Sequence, residues 1–103
     1  MRRYGKVDKN QKEIADAFRK LGCSFLSLAP LGKGAPDAAI GYGGLTCLVE
    51  VKNCSQESAH KKLTDKQKDF WRDWKGGVRL VTDMKAVEET VNLLRNWRAK
   101  LSK

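Results

Sequence analysis

Three residues in this chain have the types and the spacing for metal chemistry. Asp37, Glu50 and Lys52 lie within "GAPDAAIGYGGLTCLVEVKN", residues 34–53. Gly43 and Gly44 suit the two central positions of a tight hairpin turn. That turn sets Tyr42 opposite Leu45 and, further down the ladder, Asp37 opposite Glu50. Directly opposed residues have Cβ atoms about 4.5–5.5 Å apart. Lys52, two residues beyond Glu50, shares its face of the strand. Two opposed carboxylates repel, and burial sharpens the repulsion. A positive group between them relieves it. Lys52 is one candidate. A hard divalent cation is the better one, because oxygen ligands suit Mg²⁺, with Mn²⁺ as substitute. Magnesium takes one or two protein carboxylates and completes its shell with water and substrate phosphates, which matches so sparse a set. The competing reading is a salt bridge between Lys52 and either acid, a pair of little energetic consequence.

Positioning these groups takes a sheet held by helices. The first helix should begin near Asn10, with Asn10 as cap, Glu13 three residues on, and Ile14, Ala17, Phe18 and Leu21 as its apolar stripe. Gly22 ends it. "CSFLSL" follows as a short strand and "APLGKGAP" as a loop punctuated by Pro and Gly. The arms "DAAIGY" and "LTCLVEVK" form the hairpin, whose other face (Ala38, Ile40, Leu45, Cys47, Val49, Val51) is free to be core. "NCSQESAHKK" reads as a polar loop. A second helix is expected from Thr64 to Lys75, ending at Gly76-Gly77, then a strand "VRLVT". A last helix after Asp83 carries Val87, Val91, Leu94 and Leu101 on one side. The expected fold is a single α/β domain, residues 1–103, of order α-β-β-β-α-β-α. Its mixed sheet is flanked by helices, with the last strand parallel to the third through a right-handed crossover.

The bulk numbers narrow the partners. The 103 residues carry 21 Lys and Arg against 12 Asp and Glu, a net charge of +9. So large an excess cannot be paired internally and points to an anionic partner, nucleic acid first. A basic surface that serves only solubility is the plainer alternative. Three cysteines, Cys23, Cys47 and Cys54, form no C-x-x-C pair, so neither a disulfide framework nor a zinc site is implied. The N-terminal "MRRYGKVDKNQKE" lacks the apolar stretch of a secretory signal, and no run reaches membrane-spanning length. A cytoplasmic protein is expected, with no membrane partner. "GKGAP" and "GYGG" do not have the spacing of a phosphate-cradling loop, so no nucleotide cofactor is expected.

Pro36-Asp37, twelve intervening residues and then Glu50-Val51-Lys52 resemble the signature of the PD-(D/E)XK nuclease superfamily. The element order resembles that family's restriction-endonuclease-like core over nearly the whole chain. The nearest likeness is to small stand-alone VRR-type nucleases and archaeal-type Holliday junction resolvases. The resemblance implies a Mg²⁺-dependent endodeoxyribonuclease, structure-selective for branched or double-stranded DNA and acting as a homodimer. Chains of this size also resemble phage-encoded nucleases. Asp37 and Glu50 would hold the metal with the Val51 carbonyl, and Lys52 would orient the attacking water or meet developing negative charge. A first-helix glutamate and a glutamine after the motif join such sites, and Glu13 and Gln67 stand at matching places. Each also has a local reading. "NQKE" and "TDKQ" both form capping boxes, although Gln67 shares a face with Leu63, Phe70 and Trp74 and should point at the sheet.

Binding would rest on the remaining charge: Arg2, Arg3 and Lys6 in an N-terminal arm, Lys33 in the loop before the motif, and Lys61, Lys62 and Lys66 after it. The basic residues of the last helix read better as a solvated face. His60 reads as an exposed loop histidine. Trp71, Trp74 and Trp97 could stack on bases but fit core or interface better. Two other classes stay open: a non-catalytic nucleic-acid-binding module on the same fold, and a small basic RNA-binding protein with a coincidental motif.

Overall fold

The paired glycines make the turn their positions call for. In a computed structural model, which describes residues 9–53 and 55–101, Gly43 and Gly44 both take positive φ, 55° and 87°. Such a turn matches the right-handed twist of its strands. It joins β2 (Ala38–Tyr42) to β3 (Leu45–Val51), with Tyr42 paired to Leu45 and so on to Ala38 with Val49. The next pair in that register is Asp37 and Glu50. β1 (Ser24–Ser27) pairs antiparallel with β2, and β4 (Val78–Val81) pairs parallel with β3, in the order β1-β2-β3-β4. A parallel return needs a crossover, and two helices provide it.

Helices pack on both faces of this mixed sheet. On one side α1 (Lys9–Lys20) brings Ile14 and Phe18, and α4 (Met84–Leu101) brings Val87, Val91 and Leu94, onto Ala38, Ile40, Cys47, Val49 and Val81. These are fully or almost fully buried, and such apolar burial drives folding. Asp83 caps α4 by accepting the Ala86 N–H at 2.9 Å. On the other side lie Leu48, Leu80 and Glu50, under Ala59 of α2 (Gln56–Lys61) and Leu63. Gln56 ties α2 to the sheet, donating to the Leu80 carbonyl at 3.0 Å and to Thr82 Oγ1 at 3.2 Å. α3 (Asp65–Asp73) completes this layer. No helix among the described residues is long and apolar enough to cross a membrane.

The chain departs from its sequence reading in four places. The expected polar loop 53–62 contains α2, capped by Ser55, whose hydroxyl accepts the Ser58 N–H at 3.1 Å. Only one of its residues, Ala59, is buried, so it shows no apolar period. Asn10 lies inside α1 and does not cap it with Glu13. α3 stops at Asp73, with Trp74 already extended (ψ 126°). Leu101 does not continue the buried stripe of α4; it is 67% exposed, past the end of the sheet.

The loop before β2 is fixed onto α3 by backbone contact. Gly34 takes φ 82°, and a Cβ there would stand 2.5 Å from the Lys66 carbonyl oxygen. Gly34→Ala therefore combines a left-handed conformation, costing about 1–2 kcal/mol, with a clash against backbone. Its melting temperature should fall by roughly 5–15 °C, read by thermal denaturation; an unchanged midpoint would mean the loop is not docked.

Candidate active site

Each motif residue sits where one strand meets two neighbours. Glu50 is next to last in β3, Lys52 follows the strand, and Asp37 precedes β2. The Lys52 N–H donates to the Val81 carbonyl at 3.1 Å, and the Leu28 N–H donates to the Asp37 carbonyl at 2.7 Å. The main chain is thus tied to β4 on one side and to the β1 side on the other. Asp37 Oδ2 accepts the Val51 N–H at 2.8 Å, which closes the end of the hairpin with a side chain.

Glu50 is the unusual group. It is 3% exposed. Its Oε2 accepts from Gln67 Nε2 at 3.0 Å and faces Lys52 Nζ at 3.6 Å. Its Oε1 is buried and has no hydrogen-bond partner among the described residues. Burial first, and the neighbouring Asp37 charge second, push its pKa from 4.5 up to about 7, with Lys52 opposing. A buried carboxylate oxygen left without a donor is costly, and the protonated carboxyl offsets part of that cost through its side-chain hydrogen bond with Asp37.

Gln67 does both things its sequence allowed. Its Oε1 accepts the Thr64 N–H at 2.9 Å and its own N–H donates to Thr64 Oγ1 at 3.1 Å, a complete capping box. Its amide nitrogen then reaches Glu50. One side chain starts α3 and fixes the rotation of the Glu50 carboxylate. Glu13 is not brought to this cluster: it is exposed on α1 and lines a hollow with Asp16, Ala17, Lys20 and Met84. Val51 is half-buried, its N–H committed to Asp37.

The donor set suits a small hard cation. Asp37 and Glu50 offer carboxylate oxygens in apposition, one of them orphaned, which is the chemistry Mg²⁺ or Mn²⁺ takes and soft metals do not. Among the described residues no three His, Cys, Asp or Glu gather for a metal. Cys23 and Cys47 are buried away from it, each thiol pushed up by desolvation. Cys54 lies outside the described residues.

Of the expected DNA-binding residues, Lys33 and Lys66 come together in one cleft. Lys61 and Lys62 are exposed at the end of α2. Arg2, Arg3 and Lys6 lie outside the described residues. His60 is exposed, its ring edge-on to Trp71 at 6.1 Å. Trp74 and Trp97 are 44% and 37% exposed, so of the two places their spacing suggested, core or interface, neither takes the core. No family model, no curated protein and no solved structure matches this chain.

Proposed function

We propose that this chain is a metal-dependent DNA endonuclease with a restriction-endonuclease-like core of the PD-(D/E)XK type. It hydrolyses phosphodiester bonds and prefers branched DNA, in recombination, repair or phage DNA processing. The observation that carries the reading is the buried Glu50 carboxylate. Its Oε1 is orphaned, its neighbour is Asp37, and Lys52 stands 3.6 Å from its other oxygen. A structural salt bridge would have no use for the second acid.

Asp37 and Glu50, with the Val51 carbonyl, would hold a divalent ion. When bound, the ion supplies charge at a phosphate oxygen and lowers the pKa of a coordinated water. The remaining roles belong to the chain. Gln67 and Lys52 engage Glu50 Oε2, which leaves Oε1 as the ligand atom. Lys52, partly exposed, can reach the phosphate or the attacking water and offset the negative charge that grows in the transition state. The excess of Lys and Arg, +9 overall, attracts the phosphate backbone without reading bases. Two copies, each cutting one strand, would suit a symmetric junction.

The test is cleavage of a labelled four-way junction and a matched linear duplex, with Mg²⁺ or EDTA. Symmetric nicks in the junction alone, lost in EDTA, are the expected result. Equal cutting of both substrates would keep the nuclease and remove the branch preference. No cutting with Mg²⁺ or Mn²⁺ would leave a nucleic-acid-binding module.

A further inference from the structure

We propose that the cleft between the Gly32–Gly34 loop and α3 is a single-strand subsite: an unpaired nucleobase stacks on Trp74 while Lys33 and Lys66 take the adjacent phosphates. The cleft has a volume of about 330 Å³ and is lined by Lys33, Lys66, Asp69, Phe70, Asp73 and Trp74. Phe70 stacks on Trp74 with ring centroids 5.2 Å apart and planes at 17°. The phenyl ring covers one face of the indole and sets its plane, yet Trp74 remains 44% exposed. An indole held this way offers a flat apolar surface at little further entropic cost, which is what a base needs.

The charges of the cleft are arranged for an anion. Its two acids are already engaged, since Arg72 binds Asp69 at 3.2 Å and Asp73 at 2.9 Å. Its two lysines are not: among the described residues neither Lys33 nor Lys66 makes an ion pair. Lys33 is also the one non-glycine among the described residues with positive φ, 58°. That conformation is disfavoured for a residue with a Cβ, and it falls in the loop whose Gly34 abuts the Lys66 carbonyl. The same loop places Lys33 in the cleft beside Lys66.

The position of the cleft links it to the site above, and this assignment rests on the endonuclease reading for its purpose. Gln67 and Phe70 share one face of α3, Trp74 is its C-cap, and Gln67 is hydrogen-bonded to Glu50. From Gln67 to Trp74 is about 10 Å along the helix axis, a span of a few nucleotides. A strand with a phosphate at Glu50 can therefore lay a nearby base on Trp74. Bases inside a duplex are already stacked, so the platform selects strands with an unpaired nucleotide beside the cut.

Binding in EDTA tests this without cutting. Fluorescence anisotropy would compare a labelled short oligothymidylate with an abasic strand of equal length. Wild type should bind the thymidylate about ten-fold more tightly. Trp74→Ala should lower that affinity to the abasic level, Trp74→Phe should restore most of it, and Lys33→Ala with Lys66→Ala should weaken both strands alike. Equal binding of the two strands by wild type, or an unchanged affinity in Trp74→Ala, would overturn the assignment. A protein that binds through Trp74 but cuts nothing would sink the endonuclease reading alone. One that cuts but is indifferent to Trp74 would sink the subsite alone.

Discussion

Glu50→Gln should abolish Mg²⁺-supported cleavage and, at pH 8 without metal, raise the stability of the protein. The first half follows from losing a ligand charge at a site with only two carboxylates. The second follows from linkage. Glu50 titrates near 7 when folded and near 4.5 when not, because burial and Asp37 disfavour its charge. Between those values the folded state holds the extra proton, so stability falls as pH rises through the window and levels off above it. The full difference is about 3 kcal/mol. The substituted amide would keep the hydrogen bond from Gln67 and carry no charge. It should recover much of that difference at pH 8, raising the melting temperature by roughly 10 °C, and should recover none at pH 4, where the carboxyl is protonated in both states. Mg²⁺ should stabilise wild type at pH 8 and leave Glu50→Gln unchanged. Thermal melts at the two pH values, with and without Mg²⁺, check all of this. A variant less stable than wild type at pH 8 would mean that Glu50 is kept for structure and not for a ligand.

The motif was the most legible part of the chain. Local rules strain where a chain serves chemistry, and Asp37 and Glu50 set two like charges side by side on one face of an otherwise apolar hairpin. The Gly43-Gly44 turn then specified the register without help from tertiary contacts, because a two-residue loop permits few pairings. Gln67 was legible twice over, as a cap from its spacing to Thr64 and as a sheet-facing polar group from its spacing to Phe70. What stayed hidden depends on contacts between distant segments. α2 has six residues and one buried side chain, and its anchor is the Gln56 hydrogen bond to β4, twenty-four residues away. Leu101 and Trp74 fit a helical period, but period does not tell where the neighbouring layer ends. The cleft depends on Gly34 meeting the Lys66 backbone. No pattern within either segment announces that contact, although three consecutive residues with positive φ, Gly32 to Gly34, sit in a run whose glycines permit it.

Lys52→Met should lower the cleavage rate at saturating DNA and Mg²⁺ by about 10²–10³-fold while the fold and DNA affinity persist. Methionine keeps much of the apolar stem and removes the ammonium. Lys52 has a second effect on the site: it is the group that holds the Glu50 pKa down against burial and Asp37. Without it Glu50 should keep its proton to higher pH, so Mg²⁺ binding, which needs the carboxylate, should shift its acid limb upward. Calorimetric titration of Mg²⁺ at pH 7 and pH 9 separates the two effects. At pH 9 the variant should bind Mg²⁺ nearly as well as wild type yet still cut slowly, which isolates a contribution made only in the transition state. If the rate returns to that of wild type at pH 9, Lys52 acts only by tuning Glu50. If the rate is normal at both pH values, the 3.6 Å contact is a salt bridge and nothing more, and catalysis would have to be sought without it.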